Sequence, residues 1–582
     1  MTNQYLNKFC EVWCVDFEFS GEPGDIQRPI CLVAHELLKG KTIRVWESEL
    51  LGLSHPPYAV GKNSLFVAYY ASAELGCHLA LGWPLPEHVL DLYAEFRCAT
   101  NGKVTPCGWG LLGALVYFGL QGRDSLEKEA MRELALRGGP WTPQEQVDLL
   151  AYCESDVQAL VALLSKMGPQ LDIPRGLLRG RFMRAAACME WTGVPIDTPA
   201  FHTLIAHWEG IQEALIGKID TAYGVYEGRT FKRDRFQSWV ANHGISWPKL
   251  PSGSLALDEA TFKEMAKLYP MLQPLKELRT SLGQLRLAEL SVGTDSRNRC
   301  LLSAFKAKTS RNQPSTSKFI FGPATWVRSL IKPFPGYGIA YLDWEQQEFG
   351  IAAYLSEDSN MIEAYESGDP YLAFAKQAGA VPPSGTKRTH GGLRDQFKVC
   401  ALAVQYGMGA KALAQKLGQS SARGRELLAL HQDTYPRFWE WSQAVQDYAL
   451  LNHSIHTVFG WRFHVDERTN PRTIRNFPMQ ANGAEMLRLA CSLAVEQGVR
   501  VCAPVHDALL IEAPISLLDD AIALTKQAMA QASVLVLGKG PLRTEVKVIR
   551  YPDRYHDARG QSMWNTIWTV IQEISGQRLP AA

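Results

Sequence analysis

Arg394-Asp-Gln-Phe-Lys398-Val-Cys-Ala-Leu402-Ala-Val-Gln-Tyr406-Gly407 has no Gly or Pro before its final residue. It therefore reads as a helix closed by Gly407. Residues four apart lie on neighbouring turns of one face, so Arg394, Lys398, Leu402 and Tyr406 form one stripe. Two cations, an apolar contact and an aromatic ring suit a ligand with phosphates at one end and a flat base at the other. The same stripe is compatible with a solvated basic face. Other parts of the chain have to decide.

Upstream, Tyr337-Gly-Ile-Ala-Tyr-Leu-Asp343 is an apolar strand ending in an acid, followed by a helix-like run from Gln347. Downstream, Val499 to Glu512 reads as two strands with His506-Asp507 at the turn. Both acids stand where a rigid strand gives way to a tip, a common place for chemistry. Two aspartates brought together repel unless a divalent cation lies between them. Phosphoryl transfer uses such metal pairs to stabilise the attacking and leaving oxygens.

These segments resemble, in order and spacing, the three polymerase motifs of family-A DNA polymerases, the relatives of bacterial DNA polymerase I. The motifs here are Asp343-Trp-Glu-Gln346-Gln-Glu348, the Arg394/Lys398/Tyr406-Gly407 helix and His506-Asp507. Thr309-Ser-Arg311 resembles the family's Thr-Gly-Arg, and Arg472, Asn476, Pro478, Met479 and Gln480 resemble its template-primer segment. The resemblance covers about 180 to 560. It implies that Asp343 and Asp507 hold two Mg²⁺ ions per active site, with Mn²⁺ as a substitute. It further implies that Arg394 and Lys398 hold the triphosphate, with Lys398 assisting the leaving pyrophosphate, and that Tyr406 stacks beside the incoming base. Gln346 and Leu402 complete the nucleotide site, Glu348 blocks a ribose 2′-hydroxyl, and His506 approaches the primer end. Arg311, matching the family's Arg that reads the minor groove at the primer end, contacts DNA together with Arg328, Arg472, Asn476 and Gln480. Glu348 argues for DNA synthesis against a single-subunit RNA polymerase. The chain departs from the family pattern at Leu402 (normally Phe or Tyr), Ala508 (normally an acid) and Ser310 (normally Gly).

The N-terminal part opens with a strand, Val12-Trp-Cys-Val-Asp16-Phe-Glu18-Phe, and a second apolar run begins at Ser64. Thr142-Pro-Gln-Glu145 is a capping-box helix start, and the helix runs to about Met167. Asp16 and Glu18 share a strand face, and Tyr152 and Asp156 share a helix face. With Glu74, where the family has Asp, they resemble the DEDDy group of 3′–5′ exonucleases. The resemblance assigns metal binding to Asp16, Glu18, Glu74 and Asp156, and water positioning to Tyr152.

The expected fold class is multidomain α/β and α+β. An RNase H-like exonuclease domain (1–175) precedes a right-hand polymerase. Its parts are a helical thumb (176–300), palm (301–385), fingers (386–480) and second palm segment (481–582). Residues 297 to 332 hold eight Lys or Arg and no acid, in a chain of net charge +1, which marks a local field for phosphate contact. No signal peptide or apolar run of roughly 20 residues is present. Twelve scattered cysteines suggest reduced, buried thiols. The expected protein is a cytoplasmic, nucleoid-associated monomer without a 5′ nuclease domain. Its partners are primer-template DNA and deoxynucleoside triphosphates, with a processivity or replisome factor as a further candidate. Two other readings are a 3′–5′ exonuclease on a degenerate polymerase platform and a non-catalytic primer-template binding protein.

Overall fold

Two sheets organise the molecule. The structure is a computed structural model and describes residues 6–121, 125–284, 287–322 and 324–576. The first sheet has five strands in the order Lys41–Trp46, Arg28–Glu36, Glu11–Ser20, Ser64–Ala68 and Val89–Asp91. The first three pair antiparallel and the last two join in parallel. Val12 to Val15 and Leu65 to Ala68 are fully buried, as strands covered on both faces must be. The helix Pro143–Met167 lies against the Glu11–Ser20 and Arg28–Glu36 strands. Its start is the expected capping box: Glu145 N–H donates to Thr142 Oγ1 at 3.2 Å, and Thr142 N–H to Glu145 Oε2 at 2.7 Å.

The helix Ile173–Thr192 links the two halves. A Cβ on Gly180 would come within 1.8 Å of the Val89 carbonyl oxygen, so only glycine allows this crossing. One residue before it, Arg179 donates from Nε and Nη2 to the two carboxylate oxygens of Glu95 at 2.6 and 2.7 Å. Both partners are buried, so neither can be lost without stranding the other. Helices Thr198–Ala206 through Gln273–Gln284 follow, around a separate core that includes Phe236, Trp239 and Phe262.

The second sheet is wholly antiparallel, in the order Arg500–Val505, Ala508–Pro514, Tyr337–Trp344, Thr544–Arg550. The expected strand and hairpin are the first three of these, with Arg500–Val505 on one edge. The fourth strand is an addition to the sequence reading. It is an edge strand with exposed Glu545 and Lys547, so it carries no apolar run. Pro471–Glu496 and Leu518–Leu537 pack together behind this sheet, and helices from Gln347–Ser356 to Pro436–Leu451 fill the insertion between its strands. No helix among the described residues is long and apolar enough to cross a membrane.

The stretch 297 to 332 corrects the expectation of a bare basic field. Arg297 pairs with buried Glu512 at 2.7 Å, Arg299 with Asp295 at 2.6 Å, Arg328 with Asp557 at 2.8 Å and Arg311 with Glu348 at 3.1 Å. Asp295 is a near neighbour, but folding brings Glu348, Glu512 and Asp557 from distant segments that a local charge count does not see.

Candidate active sites

Asp343 and Asp507 meet through strand register. Asp343 stands opposite Ala508, and Trp344 N–H donates to the Asp507 carbonyl at 3.3 Å. Asp507 lies in the two-residue turn between Arg500–Val505 and Ala508–Pro514. His506 precedes it at φ 57°, a left-handed conformation that such tight hairpins require at their first turn residue. Burial, and next the adjoining Asp507 carboxylate, push Asp343 up to about 8. Burial also raises Asp507. A shared proton thus relieves the like-charge pair. Asp343 Oδ1 is buried with no hydrogen-bond partner. Two adjacent carboxylates with an orphaned oxygen fit a divalent cation, which would displace that proton. Among the described residues, no three His, Cys, Asp or Glu side chains close into a metal cage. Further oxygen ligands would therefore have to come from a bound molecule or water.

The expected basic helix spans Lys387–Gln405, with a kink at His390, and Gly407 beyond its end adopts φ 66°. Phe397, Cys400, Ala401 and Val404 face the core, leaving Lys398 and Tyr406 exposed and Arg394 and Leu402 half-buried. Arg394 donates from Nε to Asp369 at 2.7 Å and from Nη1 to Asp395 at 3.0 Å. Its guanidinium lies 5.4 Å from the Tyr371 ring centre, and the Lys398 ammonium 5.6 Å from the same ring. One aromatic therefore supports both cations. The sequence reading did not single out Asp369 or Tyr371. Asp369-Pro370 signals only a helix start, and Asp369 does cap that helix.

Tyr406 lies beside Glu348; burial and then the Glu348 carboxylate push its phenol up to about 12. Glu348 accepts from Arg311 Nη2 at 3.1 Å. Arg311, Glu348 and Tyr406, from three separate segments, gather beside the aspartate pair. Gln346, at φ 48°, accepts from Arg543 at 3.1 Å. Arg472 packs over Gly407, where a Cβ would meet its Cγ at 2.9 Å. Asn476 and Gln480 follow on the same helix, with Asn476 Oδ1 buried and unpartnered. Arg328 is turned to Asp557 and the Phe321 carbonyl, so its guanidinium is already engaged within the protein.

A second acidic cluster lies on the N-terminal sheet. Burial and next the Asp156 charge push Asp16 up to about 8; Glu18 and Glu74 are raised well above the ordinary range by burial and then by Asp16. The four acids are thus within electrostatic reach of one another. Asp16 Oδ2 is buried and unpartnered, while Glu74 Oε2 accepts from the Phe17 N–H at 2.8 Å. Tyr152 is buried and raised, first by desolvation and then by Asp156. Lys128 reaches Asp156 at 3.2 Å, adding a cation that the sequence reading had not placed there. Buried like charges and the unpartnered Asp16 Oδ2 would favour a cation here, but the expected set Asp16, Glu18, Glu74 and Asp156 does not close into a metal-holding group among the described residues, so the geometry falls short of that expectation.

Residues 323–551 match the model of DNA polymerase family A. The thermostable DNA polymerase I of Thermus thermophilus is 28% identical over 234 residues, 38% of this chain and 27% of its own. DNA polymerase I of Chloroflexus aurantiacus is 25% identical over 374 residues, covering 59% and 39% of the two chains. That of Synechocystis sp. is 24% identical over 453 residues, covering 66% and 44%. The chain thus spans less than half the length of these relatives. Among solved structures, the polymerase domain of Pol1 from M. smegmatis, in complex with DNA primer-template and dNTP, superposes with a TM-score of 0.72. At 18% identity it covers 92% of this chain and 95% of that one, a likeness of fold. The family-A region contains Asp343, the Arg394 stripe and Asp507; the Asp16 cluster lies outside it.

Proposed function

We propose that this chain is a template-directed DNA polymerase that extends a primer 3′ end, with a 3′–5′ exonuclease in its N-terminal unit. The observation that carries the first half is the meeting of Asp343 with Asp507 next to Arg311, Glu348 and Tyr406, inside the family-A region. The similar fold of a polymerase domain bound to primer-template and dNTP supports the same partners. In this reading the sheet Arg500–Arg550 with Tyr337–Trp344 is the palm, the Lys387–Gln405 helix belongs to the fingers, and the helices after Thr198 form the thumb.

The primer 3′-oxygen forms a bond to the α-phosphorus, the bond to the bridging oxygen breaks, and pyrophosphate leaves. Asp343 and Asp507 would hold two Mg²⁺ ions, or Mn²⁺ in their place, which supply charge stabilisation to the attacking and leaving oxygens when bound. Arg394 and Lys398 neutralise the triphosphate, and Lys398 is the exposed cation free to follow the departing pyrophosphate. Glu348, held by Arg311, is a wall against a ribose 2′-hydroxyl. In the N-terminal unit, Asp16, Glu18, Glu74 and Asp156 would hold the ions of a phosphodiester hydrolase and Tyr152 would orient the water.

The test uses purified protein, Mg²⁺, primed template and deoxynucleotides. Failure to extend the primer removes the polymerase reading. Asp507→Ala should abolish extension and leave single-strand degradation, and Asp16→Ala should do the reverse. Loss of both activities from either change would show that the two sites are wrongly assigned.

A further inference from the structure

The segment 302 to 311, which ends in Arg311, has a backbone that should not hold its shape unaided. Ser303, Phe305 and Ser310 all have positive φ (49°, 58° and 60°), and none is glycine. Left-handed non-glycine residues persist only where the surroundings impose them. The imposing groups are side chains that grip the backbone. Arg488 Nη1 donates to the Ser310 carbonyl at 2.8 Å, and Trp461 Nε1 to that of Lys308 at 3.0 Å. Two further donors come from the N-terminal unit, from the helix Leu92–Thr100 and its end. Arg97 donates from Nε to the Phe305 carbonyl at 3.2 Å and from Nη2 to that of Lys306 at 2.6 Å. Asn101 Nδ2 bonds the Lys308 carbonyl at 2.7 Å and that of Arg462 at 2.9 Å.

Arg97 is 2% exposed, stacked 4.0 Å from the Trp109 ring centre, and its Nη1 has no partner. Among the described residues it forms no ion pair, so a buried charge is spent on two carbonyl oxygens. Apolar packing would staple two units together at lower cost. A guanidinium fork instead sets the direction of two successive carbonyls, and so the course of the chain into Arg311. Arg311 in turn meets Glu348 at 3.1 Å, whose carboxylate lies beside Tyr406.

We propose that Arg97 and Asn101 are positioning residues for Arg311, so that the N-terminal unit takes part in reading the primer end during synthesis. The inference rests on the polymerase reading above and on Arg311 as its primer-end contact. It assigns the N-terminal unit a role in nucleotide addition that is separate from its acidic cluster.

The experiment uses the full chain in an Asp16→Ala background, so that degradation does not mask mismatched ends. Extension is measured as kcat/KM on primers with matched and mismatched termini, for the parent, Arg97→Gln, Arg311→Ala and the double variant, with thermal unfolding of each. Loss of the fork should lower matched-primer kcat/KM by roughly tenfold and narrow the matched-to-mismatched ratio. Because both residues act through one contact, the double variant should be no worse than Arg311→Ala alone. A folded Arg97→Gln protein with the parent's ratio, or additive losses in the double variant, overturns the proposal. Should Arg97→Gln fail to fold, Asn101→Ala carries the same comparison, with a smaller loss expected in the same direction and an unchanged ratio counting against. A parent that extends no primer defeats the polymerase reading itself, and is distinguished because it appears before any variant is compared.

Discussion

Asp343 stands opposite Ala508 in the antiparallel pairing, one residue from Asp507 in the hairpin turn. A one-residue slip would send Asp343 to the other face of the sheet. The site is therefore a property of register, held by seven consecutive pairs from Tyr337↔Pro514 to Asp343↔Ala508.

The proton shared by this pair predicts how pH and Mg²⁺ interact. Asp343 lies near 3.8 as an ordinary carboxylate and is pushed to about 8 in the folded chain by burial and by Asp507. Between those values the folded state binds more protons than the unfolded one, so stability falls as pH rises. Asp16, also pushed to about 8, adds to the same trend. The metal-free protein should melt at lower temperature at pH 8 than at pH 6. Mg²⁺ should raise the melting temperature more at pH 8, by about 2–4 °C, because fewer protons have to leave. Equal shifts at both pH values would show that these carboxylates are not where the ion binds.

Asp369 holds the Arg394 guanidinium by its Nε, leaving Nη2 without a carboxylate partner among the described interactions. Asp369→Ala should free Arg394 to sample other rotamers. The expected result in single-nucleotide kinetics is a KM for deoxynucleotide raised roughly three- to tenfold, with a smaller change in kcat. A fall in KM would mean that Asp369 competes with the triphosphate.

Glu74 reaches the Phe17 N–H with its full side-chain length. Glu74→Asp, which restores the residue usual in the resembled exonucleases, withdraws that acceptor by one methylene and strands a buried donor. Denaturant unfolding should show a loss of about 1–3 kcal/mol. Unchanged stability would mean that the shorter acid keeps the bond by a backbone shift.

Leu402 sits on the stripe between Lys398 and Tyr406, half-buried and open to a ligand. Leu402→Phe should lower the KM for deoxynucleotides roughly threefold by adding an aromatic plane, and change the ratio of dideoxy to deoxy incorporation. Equal KM and equal ratio in both proteins would show the position to be energetically silent.

The parts of the site legible in the sequence are those written by local rules. The Asp343 strand end, the His506-Asp507 turn and the Thr142 capping box each declare themselves within a few residues. What stayed hidden depends on chain folding over long separations. Arg97 and Phe305 are 208 residues apart, and nothing near either names the other. Thr544–Arg550 alternates charge on an exposed edge and so lacks the apolar run by which inner strands are recognised. The acids that neutralise Arg297 and Arg328 lie at 512 and 557, far outside any local window.

The buried pair Arg179–Glu95 has a bearing on protein engineering. A shortened chain beginning near residue 170 would look like a clean way to remove the N-terminal unit. It would keep Arg179 and discard Glu95, leaving an arginine shaped for a partner that no longer exists. It would also uncover the glycine face at Gly180 that Val89 covers. Point substitution within the acidic cluster is the sounder way to probe the proposed exonuclease, because the linking helix was built with its neighbour in place.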